Sequence, residues 1–275
     1  MNKAVLITGC STGIGYTCAH ALQSQGYQVI ATCRKAEDVE RLKQEGLTCI
    51  QLDLADSNSI SNAVKEVFAI THGQLYALFN NGAYGQPGAL EDLPTQALRE
   101  QFETNFFGWH QLVTEILPIM RRQNEGRIIQ NSSVLGFAAM KYRGAYNASK
   151  FALEGWTDTL RLELAGSNIH ISLIEPGPIE TQFRANALRA FRRWINIEQS
   201  VHSKQYQQQI ARLEKTTSNN AFTLPPDACI APLLDALTAK KPKIRYRVTT
   251  PTKVFAILKR ILPTRTLDKI LQKAA

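Results

Sequence analysis

The fold is decided by the stretch Lys3-Ala4-Val5-Leu6-Ile7-Thr8-Gly9-Cys10-Ser11-Thr12-Gly13-Ile14-Gly15. Its apolar start indicates a buried parallel strand, and a helical pattern continues after the glycines. Glycines let the backbone approach a pyrophosphate closely, and the amino end of a helix offers free N–H groups and a positive dipole end. The spacing G-x-x-x-G-x-G differs from the G-x-G-x-x-G fingerprint, and such a turn can also simply join a strand to a helix. The strand before it and the helix after it favour a nucleotide site.

Strand and helix patterns alternate along the rest of the chain. Apolar runs predict strands at residues 28–33, 48–52, 75–79, 127–131, 169–174 and 244–248, and helices at 95–122, 146–166 and 225–239. Such alternation is typical of βαβ units in a parallel sheet. A chain of 275 residues that is 44% hydrophobic and 20% charged fits one large domain. We therefore predict a single α/β domain, a Rossmann-type doubly wound parallel sheet in three α/β/α layers.

Two residues at the ends of predicted strands bear on the cofactor. Arg34 follows the second strand, where an acidic residue would bind a ribose 2′-hydroxyl. A basic residue suits a 2′-phosphate, which favours NADP over NAD, although Arg34 could also merely begin a solvated helix. Asp53 follows the third strand, where it could accept a hydrogen bond from an adenine amino group or cap the helix that begins near Ser57.

Tyr146 and Lys150 are four residues apart and therefore share one face of a predicted helix. An isolated tyrosine is a poor acid or base at neutral pH because its pKa is about 10. A nearby ammonium group favours the phenolate, so we expect Lys150 to lower the pKa of Tyr146 towards about 7. The pair would then donate a proton to a carbonyl or accept one from an alcohol. By spacing alone, an exposed Tyr–Lys contact is the favoured explanation of the pair, because this spacing is common by chance.

Asn105 lies inside the predicted helix 95–122, among Phe102, Phe106 and Phe107. An asparagine at such a position costs helix propensity and desolvation free energy. Two explanations remain open. Asn105 either pairs with neighbouring main chain, or it binds a water or a lysine in an apolar site.

Charge and cysteine content restrict the compartment and the partners. Residues 240–275 contain eleven Lys or Arg and one acidic residue, whereas the whole chain carries +9, so the remainder is nearly neutral. The five cysteines lack CxxC and metal-ligand spacing, which predicts reduced thiols in a cytoplasmic protein and no metal site. The sequence contains no apolar run of about 18 residues, so no membrane span is predicted. Because few aromatic residues lie between the basic ones, no nucleic-acid partner is expected.

Residues 182–221 carry no strand signal. Residues 182–221 mix aromatic and basic residues, and an insertion this long between strands is often a lid. We therefore expect a catalytic domain at 1–250, with 182–221 as its substrate lid, and a basic amphipathic tail at 251–275. This tail either packs on the same chain or a partner subunit, or it lies on an anionic membrane surface as a peripheral contact.

Taken in order, these motifs resemble the short-chain dehydrogenase/reductase superfamily over about residues 3–182. Residues 8–15 look like its cofactor motif, and Asn80-Asn81-Gly82-Ala83 is similar to its Asn-Asn-Ala-Gly turn, with the last two residues exchanged. Asn105, Ser133, Tyr146 and Lys150 fall where the catalytic tetrad of the family falls. Pro176-Gly177, together with Thr181, looks like its nicotinamide clamp. The exchange at Gly82-Ala83 leaves open which backbone group faces the adenine ribose.

The resemblance implies a role for each member of the tetrad. Tyr146 would be the general acid in carbonyl reduction or the base in alcohol oxidation, and Lys150 would lower its pKa and bind the nicotinamide ribose. Ser133 would hydrogen-bond the substrate oxygen, and Asn105 would hold a water that links Lys150 to solvent. The resemblance also implies the cofactor-binding residues Gly9, Ser11, Thr12, Gly13, Ile14, Gly15, Arg34, Asp53, Leu54, Asn80, Asn81, Gly82, Tyr146, Lys150, Pro176, Gly177, Ile179 and Thr181.

The function implied is an NADP(H)-dependent oxidoreductase that interconverts an aldehyde or ketone and its alcohol, with an apolar substrate. Within the superfamily the chain is similar to the 17β-hydroxysteroid and retinol dehydrogenase branch, and especially to bacterial NADP-dependent aldehyde reductases. By the same resemblance, helices 95–122 and 146–166 would pair subunits in a homodimer or homotetramer. The alternatives are a non-catalytic NADP-binding redox sensor or scaffold, and a membrane-surface reductase of lipid-like carbonyls.

Overall fold

Seven parallel strands form one sheet in the computed structural model, which describes residues 3–215 and 220–273. The spatial order is β3-β2-β1-β4-β5-β6-β7, and every neighbouring pair is parallel. The strands are β1 (Ala4–Ile7), β2 (Gln28–Cys33), β3 (Thr48–Gln51), β4 (Ala77–Asn80), β5 (Gly126–Asn131), β6 (Ile169–Glu175) and β7 (Arg245–Arg247). The order reverses at β1, between β2 and β4, and a ligand crevice forms at such a switch point.

Helices cover both faces of this sheet. In chain order they are α1 (Gly13–Ser24), α2 (Ala36–Gln44), α3 (Ser57–Ile70), α4 (Thr95–Phe102), α5 (Gly108–Gln123), α6 (Gly144–Glu163), α7 (Phe183–Trp194), α8 (Ser203–Glu214), α9 (Ile230–Thr238), α10 (Thr250–Ile261) and α11 (Thr264–Lys273). Side chains alternate across the strands. Leu6 joins the core layer that includes residues of α3, α5 and α6, whereas Val5 and Ile7 join the layer that includes α1 and α9. The predicted three-layer α/β/α fold is confirmed.

The predicted helix 95–122 is interrupted by a π-helical turn. The π turn at Glu103–Phe107 joins α4 to α5 in one continuous helix, and Asn105 is the buried residue of this turn. A π turn adds one residue to the helical ladder and is often found at functional sites. The sequence pattern, which reports only apolar periodicity, did not predict it.

The lid segment 182–221 forms two helices over its described part. Helices α7 and α8 pack against each other through Phe191 and Tyr206, whose ring centroids are 5.1 Å apart. The hydroxyl of Tyr206 donates to Asp92 and accepts a 2.9 Å hydrogen bond from the backbone N–H of Ala89. These bonds attach the lid to the loop after β4. Residues 216–219 of the predicted lid lie outside the described residues.

The basic tail packs on its own chain. Phe255 of α10 and Leu267 and Leu271 of α11 lie in one apolar cluster with Leu135 and Tyr146. Part of the apolar face of residues 251–273 therefore packs on the same chain. Other apolar side chains of the tail point to solvent, and Ile257 and Ile261 are 58% and 66% exposed. No helix in the described ranges 3–215 and 220–273 is long and apolar enough to cross a membrane.

Candidate active site

A cavity of about 760 Å³ opens at the carboxyl ends of the central strands. Its floor comes from the glycine turn after β1, the turn after β4, the end of β5 and the start of α6. Its remaining wall comes from the segments after β6, from α7 and α8, and from α10. Ligands bind at this edge of a parallel sheet, because the helices that follow the strands direct their amino ends there.

The glycine turn is built so that backbone atoms meet without side chains between them. Gly9 and Gly13 have φ of +70° and +62°, a region that glycine adopts readily. A Cβ on Gly9 would lie 2.5 Å from the Cα of Gly82, and one on Gly15 would lie 2.3 Å from the oxygen of Gly9. Thr12 precedes α1 without a side-chain cap, so the first N–H groups of α1 remain available. This cradle fits the pyrophosphate of a dinucleotide. Gly9, Ser11, Thr12, Gly13 and Ile14 line the cavity, whereas Gly15 supports the turn from below.

The turn after β4 explains the exchanged glycine and alanine. A Cβ on Gly82 would lie 2.9 Å from Leu54 Cδ1 and 3.3 Å from the nitrogen of Gly9, so a side chain there would displace Leu54 and press on the first turn. Asn81 fixes the turn by donating to the oxygens of Thr8 and Gly9 at 3.0 and 3.1 Å. Both Asn81 and Gly82 line the cavity. The glycine therefore stands where the backbone of the first turn passes closest.

Tyr146 and Ser133 both line the cavity, and α6 and the end of β5 hold them there. Ser133 is 8% exposed, and its hydroxyl accepts a hydrogen bond from the N–H of Leu135 at 3.1 Å. Burial raises the pKa of Tyr146 to about 12, while hydrogen bonding with Ser133 and the charge of Arg143 lower it. The phenol is therefore protonated at neutral pH. The expectation that the pKa of Tyr146 lies near 7 is wrong for the protein alone, because desolvation outweighs the neighbouring donors.

Lys150 lies directly below this pair, 1% exposed. Its Nζ donates to the backbone oxygen of Asn131 at 2.7 Å and lies 4.3 Å from the ring centroid of Trp109. It is 5.7 Å from the ring centroid of Tyr146. Burial lowers the pKa of Lys150 to about 7, and the charge of Glu154 raises it. The predicted juxtaposition of Tyr146 and Lys150 is present, and the simpler reading as an exposed contact is wrong.

Asn105 pairs with main chain, as one of the two sequence interpretations held. Its Nδ2 donates to the oxygen of Tyr84 at 2.9 Å, and its Oδ1 accepts from the N–H of the same residue at 3.2 Å. A longer contact of 3.4 Å joins Nδ2 to the hydroxyl of Ser149, on the turn of α6 between Tyr146 and Lys150. Asn105 therefore fixes the loop after β4 against α6 and touches neither catalytic side chain directly.

An ion-pair network below Lys150 was not predicted. Glu154, one helical turn after Lys150, accepts from Ser132 at 2.5 Å and from Arg245 at 3.0 Å. Arg245 also pairs with Glu175, whose pKa burial raises to about 7, with repulsion from Glu154 adding to the shift. The spacing of Glu154 from Lys150, which repeats that of Lys150 from Tyr146, was the available signal. Arg245 lies on the seventh strand, and no local pattern connects it with α6.

Besides Gly15, four predicted cofactor residues lie outside the cavity lining. Arg34 is exposed after β2, and Leu54 is buried under Gly82. Asn80 is fully buried with both side-chain polar atoms unpaired. Asp53 accepts a 2.9 Å hydrogen bond from the N–H of Ala55. The helix-capping alternative for Asp53 is wrong, since Asp56 caps α3 by accepting from the N–H groups of residues 58 and 59.

The segment after β6 closes the site from above. Pro176, Gly177 and Thr181, to which the resemblance assigns the nicotinamide clamp, line the cavity together with Ile179. The oxygen of Pro176 accepts from the N–H of Val134 at 2.8 Å, which ties this segment to the residue after Ser133. A Cβ on Gly177 would lie 2.1 Å from Thr249 Oγ1, so the segment runs tightly against the start of α10.

The sequence predicted a lid at residues 182–221 but did not identify which side chains face the cavity. Phe183 stands edge-on to Tyr146 with ring centroids 5.3 Å apart, and Leu213, Phe222 and Phe255 continue an apolar surface. Three arginines interrupt this surface, namely Arg143, Arg184 and Arg212. The mixed aromatic and basic composition of the lid was a signal for them, but it could not say which residues face inward.

Comparison with known proteins agrees with the fold. A sequence model described as short chain dehydrogenase matches residues 3–190. The Escherichia coli K12 protein "Uncharacterized oxidoreductase YbbO" is 45% identical over 272 residues, 99% of this chain and 95% of that protein. Human retinol dehydrogenase 8 is 40% identical over 196 residues, 68% of this chain and 62% of its own length. A short chain dehydrogenase from Burkholderia cenocepacia in complex with NADP superposes with a TM-score of 0.75 at 20% identity, covering 98% of this chain and 97% of that one.

Proposed function

This chain belongs to the short-chain dehydrogenase/reductase family, and from that premise we propose that it reduces an aldehyde or ketone with NADPH, using Tyr146 as the proton donor. The observation that carries the proposal is the placement of the Tyr146 phenol beside the Ser133 hydroxyl at the cavity, with the Lys150 ammonium buried below them. A carbonyl oxygen gains negative charge during reduction, so it needs a hydrogen-bond donor and a proton donor at that point. Ser133 and Tyr146 can supply these two groups.

Each catalytic side chain has a defined part in this mechanism. The bound nicotinamide supplies the hydride. Ser133 and Tyr146 hydrogen-bond the carbonyl oxygen, and Tyr146 transfers its proton as charge develops there. Lys150, with a pKa of about 7 and a bond to the oxygen of Asn131, can take up and release protons below the phenol. Asn105 holds the loop after β4 against α6 and so positions both groups.

The preference for NADPH rests on Arg34. This residue is exposed immediately after β2, next to the carboxyl edge where the adenosine half of a dinucleotide lies in this fold. No carboxylate occupies that strand end, and a guanidinium binds a 2′-phosphate with charge-assisted hydrogen bonds.

The test is NADPH oxidation with a panel of aldehydes and ketones, compared between wild type and Tyr146→Phe. We expect the substitution to lower kcat by about a hundredfold or more, which is the usual contribution of a positioned general acid. Tyr27→Phe is the matched control, because it removes the same hydroxyl near the amino end of β2, away from the cavity. Equal turnover of Tyr146→Phe and wild type would refute the proton-donor role.

The alternative of a non-catalytic NADP-binding sensor makes the opposite prediction. Such a protein would bind NADPH tightly and turn over no carbonyl or alcohol, and Tyr146→Phe would change nothing measurable. The burial of a complete donor set beside the cradle argues for catalysis, since buried polar groups cost free energy that a binding module has no need to spend.

A membrane-surface reductase is the second candidate, and the exposed side chains of α10 favour it. Ile257 and Ile261 point to solvent beside Lys253 and Lys259, which is the pattern of an interfacial helix. Co-sedimentation with anionic vesicles tests it, with the double variant Ile257→Ser/Ile261→Ser as the comparison. These two residues lie outside the cavity lining, so activity should be retained. Equal pelleting of both proteins would remove the membrane assignment.

We also expect a homo-oligomer that pairs α5 and α6 with their copies. Phe107, just before α5, and Leu162 of α6 are 48% and 68% exposed. Sedimentation velocity of wild type and Phe107→Ser/Leu162→Ser would test this, since the variant should dissociate at concentrations where wild type is assembled. A wild type that sediments as a monomer would contradict it.

A further inference from the structure

Three arginines from separate parts of the chain converge on one wall of the active-site cavity. Arg143 comes directly before α6, Arg184 lies in the first turn of α7, and Arg212 lies near the end of α8. All three line the cavity and are partly buried. Arg143 precedes Tyr146 by three residues, about one helical turn, so this wall adjoins the proposed proton donor.

The charged residues among the described lining of the cavity are Arg143, Lys150, Arg184 and Arg212, and this described lining contains no aspartate or glutamate. The Nε atoms of Arg143 and Arg212 are buried and have no hydrogen-bond partner within residues 3–215 and 220–273. Two lid arginines that do not line the cavity have carboxylate partners, since Arg192 contacts Glu214 at 2.7 Å and Arg193 contacts Glu100 at 3.0 Å.

Burial and repulsion between these arginines act in the same direction. Burial, together with the charges of Arg212 and Arg184, lowers the pKa of Arg143 to about 9. Burial and the charge of Arg184 also lower the pKa of Arg212. Like charges held together in a partly desolvated wall raise the free energy of the protein, and a bound anion would relieve it.

We propose that the substrate carries an anionic group, a carboxylate or a phosphate, which Arg143, Arg184 and Arg212 bind while its carbonyl meets Tyr146. This inference rests on the reductase function proposed above. Between the arginines, Leu213, Phe222 and Phe255 offer an apolar surface, so the body of the substrate is hydrocarbon. The resemblance alone implied an apolar substrate, and the cavity adds a charged end to it.

A bound cofactor would also carry negative charge, but its cradle and the three arginines come from different parts of the fold. The cradle for a pyrophosphate is the amino end of α1, with Gly9 and Gly13, whereas the arginines come from the start of α6 and from the lid. If the cluster served the cofactor, NADPH affinity would fall when an arginine is removed. If it serves the substrate, NADPH affinity stays unchanged.

The kinetic test compares matched substrates. Four-carbon, six-carbon and nine-carbon ω-oxo carboxylates and their methyl esters are reduced by wild type, Arg212→Gln, Arg184→Gln and Arg189→Gln. Arg189 lies on α7, is exposed and does not line the cavity, so it controls for the loss of one positive charge. We expect wild type to prefer at least one acid over its ester by about tenfold or more in kcat/KM, the range for a hydrogen bond to a charged group. This preference should collapse in Arg212→Gln and Arg184→Gln and persist in Arg189→Gln.

A binding measurement keeps the inference testable if no aldehyde is turned over. Calorimetric titration with decanoate, decyl phosphate and decanol, with and without NADP, reports the anion site directly and distinguishes carboxylate from phosphate. Affinity for an anion that exceeds that for decanol and is lost in Arg212→Gln supports the site, even if the reductase function fails. Equal affinity for all three ligands, a preference that survives Arg212→Gln, or an equal loss of NADPH affinity in Arg212→Gln would overturn it.

Discussion

Residues 3–181 and residues 182–273 line opposite walls of one cavity, and they do so by different means. The first region presents backbone, because its turns at Gly9, Gly13 and Gly82 bring N–H and C=O groups to the surface with no side chains between them. The second presents side chains, because α7, α8 and α10 contribute Phe255 and two arginines to the wall.

The difference follows from what each wall has to recognise. A dinucleotide has a constant pyrophosphate that helix ends and glycine turns bind well, and one arrangement of turns serves for it. A substrate is recognised by shape and charge, which amphipathic helices supply from their inward faces. Consistent with this, the family model matches residues 3–190 and stops at α7. Substitutions in the glycine turns of the first region should therefore change cofactor affinity, and those on the inward faces of α7, α8 and α10 should change substrate KM.

The largest expected effect comes from Gly9→Ala. Its Cβ would lie 2.5 Å from the Cα of Gly82 at a φ of +70°, so the cradle must distort. We expect NADPH affinity, measured by fluorescence titration, to fall by about a hundredfold or more. Gly155→Ala is the control, since nothing lies within 4 Å of the added methyl group on α6. Unchanged NADPH affinity in Gly9→Ala would show that the glycine turns do not bind the cofactor through their backbone.

The pH dependence of stability tests the buried lysine. Unfolded Lys150 keeps its proton up to a pKa of about 10.5, whereas the folded pKa is about 7. Between these values the unfolded chain binds more protons, so the free energy of unfolding rises with pH. We expect wild type to gain about 2 kcal/mol more than Lys150→Met between pH 7 and pH 9 in urea titrations. Parallel pH curves for the two proteins would contradict the lowered pKa.

Arg34→Gln sharpens the cofactor side of the comparison. Removal of the guanidinium should raise the Kd for NADPH by about tenfold and leave the Kd for NADH unchanged, because only the 2′-phosphate loses a charge-assisted bond. Lys35→Gln, which removes the neighbouring exposed charge, should have a smaller effect. A preference of wild type for NADH would refute the role given to Arg34.

Phe255→Ala should give the smallest of these effects, and it acts on the other wall. Its ring packs against the cluster of Leu135 and Tyr146 and lines the cavity. We expect KM for an apolar aldehyde to rise by several-fold up to about tenfold, from lost apolar burial, with NADPH affinity unchanged. Ile257→Ala on the same helix, exposed and outside the cavity lining, should leave KM as it is. A fall in NADPH affinity in Phe255→Ala would show that the two walls are not separable.

Much of the first region was predictable because its signals are local. The strand, the glycine turn and the helix at residues 3–25 follow from adjacent residues, and Tyr146 and Lys150 share a helix face by spacing alone. Asn105 was found by position, but the π turn that buries it was not, since periodicity cannot register one extra residue. Asp53 was considered as a cap of α3, but the structure places Asp56 directly before the helix as its cap.

Local sequence is enough to place the chemical groups along the chain: a cradle after β1, a close turn after β4, and a serine, a tyrosine and a lysine at the end of β5 and in α6. The protonation and the neighbours of those groups depend on how the chain packs in three dimensions. Burial holds the pKa of Tyr146 above its usual value and that of Lys150 below it. Packing of the lid turns Arg184 and Arg212 towards Arg143. Spacing is a property of neighbouring residues, whereas desolvation and the meeting of like charges depend on segments far apart in the chain.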